Sequence, residues 1–151
     1  MSELVEHPRH LELTTLMTPD TANFSGKVHG GALLKHLDEV AYSCAARYCG
    51  HYVVTLLLDD ALFRGPVHVG ELVTFKACIN RVGKTSMDIG IRVIAENHRT
   101  RVQRHVMSCF FVMIAMSDEG EPTEVAPFVP ETEEDQRRWA QAEQRRALRR
   151  G

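Results

Sequence analysis

The residues able to do chemistry crowd into one stretch, Asn23 to Cys49, NFSGKVHGGALLKHLDEVAYSCAARYC. Asp38 is the sharpest of them. At helical spacing it lies at the edge of an apolar stripe. An acid there tends to lose solvent, which raises its pKa and makes it a better base. The plainer reading is an exposed acid paired with Lys35 or Arg47. Gly30 and Gly31 come just before the helix. Glycine at a helix entry lets a ligand reach bare backbone N–H groups at the positive end of the dipole, where a carbonyl oxygen gathering negative charge would be held. The pair also reads as a flexible helix entry. Asn23 carries an amide that can orient a water or a carbonyl, or simply close a turn. His29 is an acid–base candidate by its ordinary pKa, yet the chain has eight histidines and most of them must be ordinary. Further on, Gly83–Lys84–Thr85–Ser86 offers a cation, hydroxyls and free N–H groups to a phosphate, or else is only a hairpin tip. It is too short for a P-loop, and no GxSxG or Ser–His–Asp spacing stands out.

The bulk of the chain narrows the field. At 151 residues, 44% apolar and 25% charged, it suits one globular domain with its own core. A formal net charge of -2 gives no global reason to seek nucleic acid or an acidic membrane. The N-terminal MSELVEHPRH lacks the apolar core of a signal peptide, and no run reaches the ~18 apolar residues of a membrane span. Cys44, Cys49, Cys78 and Cys109 form no metal-ligand spacing and read as small buried apolar residues. The expectation is a protein of the reducing cytoplasm with no metal site.

These residues need elements to hold them. Residues 1–9 read as a lead-in and 10–16 as a strand. Residues 17–31 form a long loop rich in turn formers, of the length that is often functional. A helix follows from about Gly31 to Cys49, with Gly50 as its stop. Its stripe is Leu33, Leu34, Leu37, Ala41, Cys44, Ala45 and Tyr48, with Lys35, His36 and Glu39 away from it. The period then changes to two, with strands at 53–63, 71–82, 85–96 and 102–116. In the third of these, Met87, Ile89, Ile91, Val93 and Ala95 share one face, and Ser86, Asp88, Arg92 and Glu96 the other. Short connections predict that consecutive strands are antiparallel neighbours. The result is a two-layer α+β domain, whose exposed edges and uncovered apolar area call for a homo-oligomer. The domain spans 1–130. Residues 131–151 form a C-terminal helical tail with six arginines against five acids, read as a solvated helix on which Trp139 and Leu148 could dock.

Taken together, these motifs resemble a known family. HGGALLKHLDEVAYSCAARYC is similar to the central helix of the hotdog-fold acyl-CoA thioesterases, in the group of the brain-type acyl-CoA hydrolases and their small bacterial relatives. The PVHVGE turn, the GKTS hairpin and the VPETEEDQRRW tail resemble that family in the same order, over roughly residues 10–140. The resemblance implies a long central helix packed on a five- to six-stranded antiparallel sheet. It implies a homodimer with shared active sites, assembling further into a hexamer. It also implies hydrolysis of acyl-CoA to free acid and CoA, with no cofactor beyond the CoA of the substrate. The family's helix acid falls on Asp38, as general base or as nucleophile. Its loop asparagine falls on Asn23 of the facing subunit, and its oxyanion amides on Gly30 and Gly31. Gly83, Lys84, Thr85 and Ser86 fall near the CoA phosphates. The sequence FRGP departs from the family, which places its arginine directly before the proline, so no role carries over to Arg64. Two other readings stand beside this one. A hydratase or dehydratase would pair His29 with Asp38, although neither residue sits in a dehydratase motif. A silent acyl-CoA-binding module would have no use for a base.

Overall fold

The computed structural model describes residues 7–150. Residues 1–6 of the lead-in, and Gly151, lie outside them. The order is β1 (His10–Leu16), a 3-10 turn (Pro19–Thr21), α1 (Gly30–Cys49), β2 (Tyr52–Phe63), β3 (Leu72–Val82), β4 (Ser86–Glu96), β5 (Gln103–Met116) and α2 (Glu133–Arg150). Every expected element is there, its ends within two residues of the reading.

α1 begins where His29 caps it, the ring Nδ1 accepting from the Gly31 N–H at 2.9 Å. It stops at Gly50, whose φ of 74° is left-handed and whose N–H bonds the Ala46 carbonyl. Its buried face is Leu33, Leu37, Val40, Ala41, Cys44, Ala45 and Tyr48. Two expectations fail on this wheel. Leu34 is exposed, and Val40, left out of the stripe, is buried. The face is centred on the 33–37–40–44 line, so Leu34 falls on its flank. His36, placed away from the stripe, is half-buried beside Phe75, with ring centroids 5.8 Å apart.

α1 lies on one face of a five-stranded antiparallel sheet of order β1-β3-β4-β5-β2. That face carries Val73, Phe75, Ala77 and Ile79 of β3, Met87 to Ala95 of β4 at alternate positions, and Met107, Cys109, Phe111, Met113 and Ala115 of β5. Burying each large apolar side chain is worth about 1.5–3 kcal/mol, and this shared core fixes the helix on the sheet. Burial also pushes the Cys44 and Cys109 thiols up to about 12.

The expectation that consecutive strands are neighbours holds for β3, β4 and β5 and fails for β2 and β3. β2 pairs with β5 on the far edge, Tyr52 opposite Met116 and Phe63 opposite Met107. The PVHVGE segment is therefore a crossover at the end of the sheet. Three strand spacings come to about 14 Å, well within reach of eight residues. Val67 is buried beneath the crossover, and Arg104 of β5 grips Glu71 at 2.8 and 3.0 Å.

The tail is a largely exposed helix, as read, but one face of it is docked. α2 docks on the second face of the sheet. Ala142 is fully buried, Arg145 bonds the buried Asp88 at 2.8 Å, and the Arg145 guanidinium lies 3.5 Å from the centre of the Phe110 ring. Trp139 packs edge-on against Phe128 at 5.2 Å, while Leu148 stays exposed. The helix is held mainly by arginine stems and ion pairs, which leave little apolar pattern to read. Asp88, expected on an open face, is buried by α2. Burial pushes its carboxyl up, and Arg145 opposes that shift. Among the described residues no helix is long and apolar enough to cross a membrane.

Candidate active site

Asp38 sits on the flank of α1 that faces the edge strand β2. The Thr55 hydroxyl of β2 donates to its Oδ1 at 2.7 Å. Asp38 is exposed, so this chain's own atoms do not supply the loss of solvent expected of it. Its helical neighbours at i-4 and i+4 are Leu34 and Tyr42, both exposed, and Tyr42 meets Tyr52 of β2 edge-on at 6.2 Å. The acid thus stands in an open apolar line beside a sheet edge. Neither Lys35 nor Arg47 pairs with it: Arg47 turns to the His10 carbonyl. Thr55 is the residue that sequence reasoning missed. Its signal was faint, one hydroxyl inside the apolar run VVTLLL.

Asn23 holds its own loop. Its Oδ1 accepts from the Ser25 N–H (2.9 Å), the Ser25 hydroxyl (2.7 Å) and the Lys27 N–H (3.1 Å), and its own N–H donates to the Lys27 carbonyl at 2.6 Å. The turn reading is therefore correct, and the side-chain NH2 keeps no partner among the described residues. Asn23 and Gly30 line the same open cleft, of about 410 Å³, with Leu33, Phe63 and Arg64. The two glycines differ. The Gly31 N–H is taken by His29, whereas the Gly30 N–H has no acceptor among the described residues. A Cβ on Gly30 would stand 3.9 Å from the Phe63 ring.

The chain does not bring Asp38 to this cleft. Eight residues separate it from Gly30, about 12 Å along the helix. His29 is spent on capping α1, and no contact joins it to Asp38. The hairpin also differs from its reading. The N–H of Gly83 is bound by the Ser86 carbonyl at 2.9 Å, and the Lys84 and Thr85 carbonyls accept from Val125 and Ala115. Thr85 and Ser86 instead line a second cleft, of about 310 Å³, whose other wall is the C-terminal half of α2. That wall carries arginines that pattern reading had assigned to solvent. Among the described residues no three His, Cys, Asp or Glu side chains converge to hold a metal.

The model of the thioesterase superfamily matches residues 25–102, from the Asn23 loop through β4. Protein VdlD of Helicobacter pylori is 45% identical over 139 residues, covering 92% of this chain and 79% of that protein. YkhA of Bacillus subtilis, an uncharacterized acyl-CoA thioester hydrolase, is 30% identical over 122 residues, covering 81% and 71%. The crystal structure of an apo-hexameric acyl-CoA thioesterase superposes with a TM-score of 0.90 at 28% identity, over 97% of this chain and 94% of that one. The model match over half of the chain and the superposition of the helix and its five-stranded sheet agree, and the chain belongs to the thioesterase superfamily, on the hotdog fold.

Proposed function

We propose that this chain hydrolyses acyl-CoA thioesters to the free acid and CoA. The observation that carries the reading is Asp38, held by Thr55 on the open flank of α1 in a chain of this superfamily. YkhA and the apo-hexameric relative are named for acyl-CoA thioester hydrolysis, which supports the substrate class. Asp38 takes a proton from water as the water attacks the thioester carbonyl, or attacks the carbonyl itself to form an anhydride that water then opens. In either course the C–S bond breaks and CoA leaves as the thiol. The Gly30 N–H is the amide best placed to hold the oxyanion, because the Gly31 N–H would first have to leave His29. The free NH2 of Asn23 orients the water or the carbonyl. Lys84, Thr85 and Ser86 lie near the CoA phosphates.

The same reading requires a second subunit. Asp38 and the Asn23–Gly30 cleft are apart in one chain, and a homodimer with shared sites would join the acid of one to the cleft of the other. Exposed Leu34 and Tyr42 on α1, with Leu58 and Leu62 on the unpaired edge of β2, suit such a contact. The apo-hexameric relative supports further assembly. Four free cysteines, three of them buried, suit a cytoplasmic protein. The test is thiol release from acyl-CoAs of increasing chain length, with wild type and Asp38→Asn. Release that falls by ~10² or more in the variant supports the reading. Release that is unchanged would show that the acid is a bystander.

A further inference from the structure

A third cleft opens on the sheet face away from α1, where the first half of α2 stands beside β3, β4 and β5. Its volume is about 620 Å³, room for a small organic molecule rather than a bare ion. Asn80 lines it and is out of keeping with its place. The residue is 5% exposed, yet its side-chain amide has no hydrogen-bond partner among the described residues. A buried amide left unpaired costs stability and calls for a reason. Gly90, on the neighbouring strand, makes room for it. A Cβ on Gly90 would stand 2.7 Å from Asn80 Nδ2 and 3.2 Å from the Phe110 ring. Glycine weakens a strand interior and often marks a close approach. Two local costs thus fall together at one spot that opens on the cleft.

The charges there are also unanswered. Lys76 of β3 and Arg92 of β4 line the same cleft and are direct cross-strand partners. Like charges so placed repel. Neither has an ion-pair partner among the described residues, although Glu12 of β1 stands opposite Lys76. On the helix wall, Arg138 is divided between Glu134 at 2.8 Å and the Cys78 sulfur at 3.5 Å. A bound anion would relieve the repulsion between Lys76 and Arg92.

We propose that this cleft binds a small organic carboxylate. The Asn80 NH2 donates to a carboxylate oxygen, and Lys76 and Arg92 neutralise its charge. The class follows from the donors present. Lys76, Cys78, Gly90 and Arg92 lie in ladder register on central strands, paired on both sides, so they offer no nest of free backbone amides of the kind that suits phosphate. The site is independent of the acyl-CoA reading, since it lies on the sheet face opposite α1 and Asp38.

The test titrates succinate into the whole protein by calorimetry, at fixed ionic strength in chloride, with Asn80→Leu and Lys76→Gln/Arg92→Gln beside wild type. Saturable binding to wild type that weakens about tenfold or more in each variant is the expected result. Melting temperatures without succinate give a second readout. Leucine keeps the volume and drops the amide, so Asn80→Leu should melt no lower than wild type, because the amide has no partner to lose. The double variant should hold as well, with its repulsion relieved. A clear fall for Asn80→Leu would show that the amide has a structural partner and would overturn the site. No heat beyond that of sodium chloride overturns it too, as does binding that is unchanged in either variant. Inorganic phosphate that binds more tightly than succinate, at the same residues, overturns the carboxylate class. A change of oligomeric state in the variants, with no succinate bound by wild type, overturns the proposal in favour of a second copy of the chain.

Discussion

The hydroxyl of Thr55 and Oδ1 of Asp38 stand 2.7 Å apart, joining the middle of α1 to the edge strand β2. One carboxylate oxygen is thereby held, and Oδ2 has no partner among the described residues. In the proposed mechanism Thr55 is a positioning residue, acting through the acid. Thr55→Val should lower kcat by about tenfold or more, as for a misplaced base, with KM nearly unchanged. Thr55→Ser, which keeps the hydroxyl, should restore most of the rate. A matched fall for both variants would mean that packing, not the hydrogen bond, matters here.

The loop contacts of Asn23 and the catalytic role proposed for it can be separated by substitution. Its Oδ1 gathers three donors of its own loop, while its NH2 stays available. Asn23→Asp keeps the acceptor and removes the NH2, so the melting temperature should hold while kcat falls. Asn23→Ala should lose both, with the turn loosened by about 0.5–1.5 kcal/mol for each hydrogen bond lost. Equal activity of wild type and Asn23→Asp would remove the asparagine from the site.

The proposal of shared sites makes a stricter demand. Asp38→Asn and Asn23→Asp proteins should each be nearly inactive. Unfolded together and refolded as a mixture, they should regain activity that neither shows alone, because a mixed dimer has one site with both native residues. Absence of complementation, with mixed dimers verified by mass, would place the whole site within one subunit.

Glu71 ties the crossover to β5. It is 5% exposed, accepts from the His68 N–H at 2.7 Å and is gripped by Arg104. Burial pushes its carboxyl up, but the Arg104 hydrogen bonds and the His68 amide outweigh that, so its pKa lies below the usual value. A lowered folded pKa means stability that is complete above the ordinary glutamate pKa of about 4.3 and is lost as pH falls below it. Glu71→Gln should therefore lower stability at neutral pH by about 1–2 kcal/mol, modest because Arg104 is partly open to solvent. The gap to wild type should close in acid. Melting curves at pH 7 and pH 3 check it, and a gap that widened in acid would contradict the sign.

Local patterning carried much of this protein. The 3.6-residue period, the two glycines at one end of α1 and Gly50 at the other are enough to place the helix, because caps and a buried stripe are properties of neighbouring residues. Alternation placed β1 to β5, and the acid at the stripe's margin was visible as Asp38. What tertiary structure decided is where separate elements meet. The position of β2 beside β5 follows from a crossover that local turn chemistry resembles too closely to a hairpin. The Thr55–Asp38 bond exists because that edge strand passes along one flank of α1. α2 docks through arginine stems and the buried Asp88–Arg145 pair, contacts with no period of their own. Sequence alone determined the elements and the candidate acid. The partners of that acid, and the arginine cleft behind it, depended on long-range packing, which no window of consecutive residues contains.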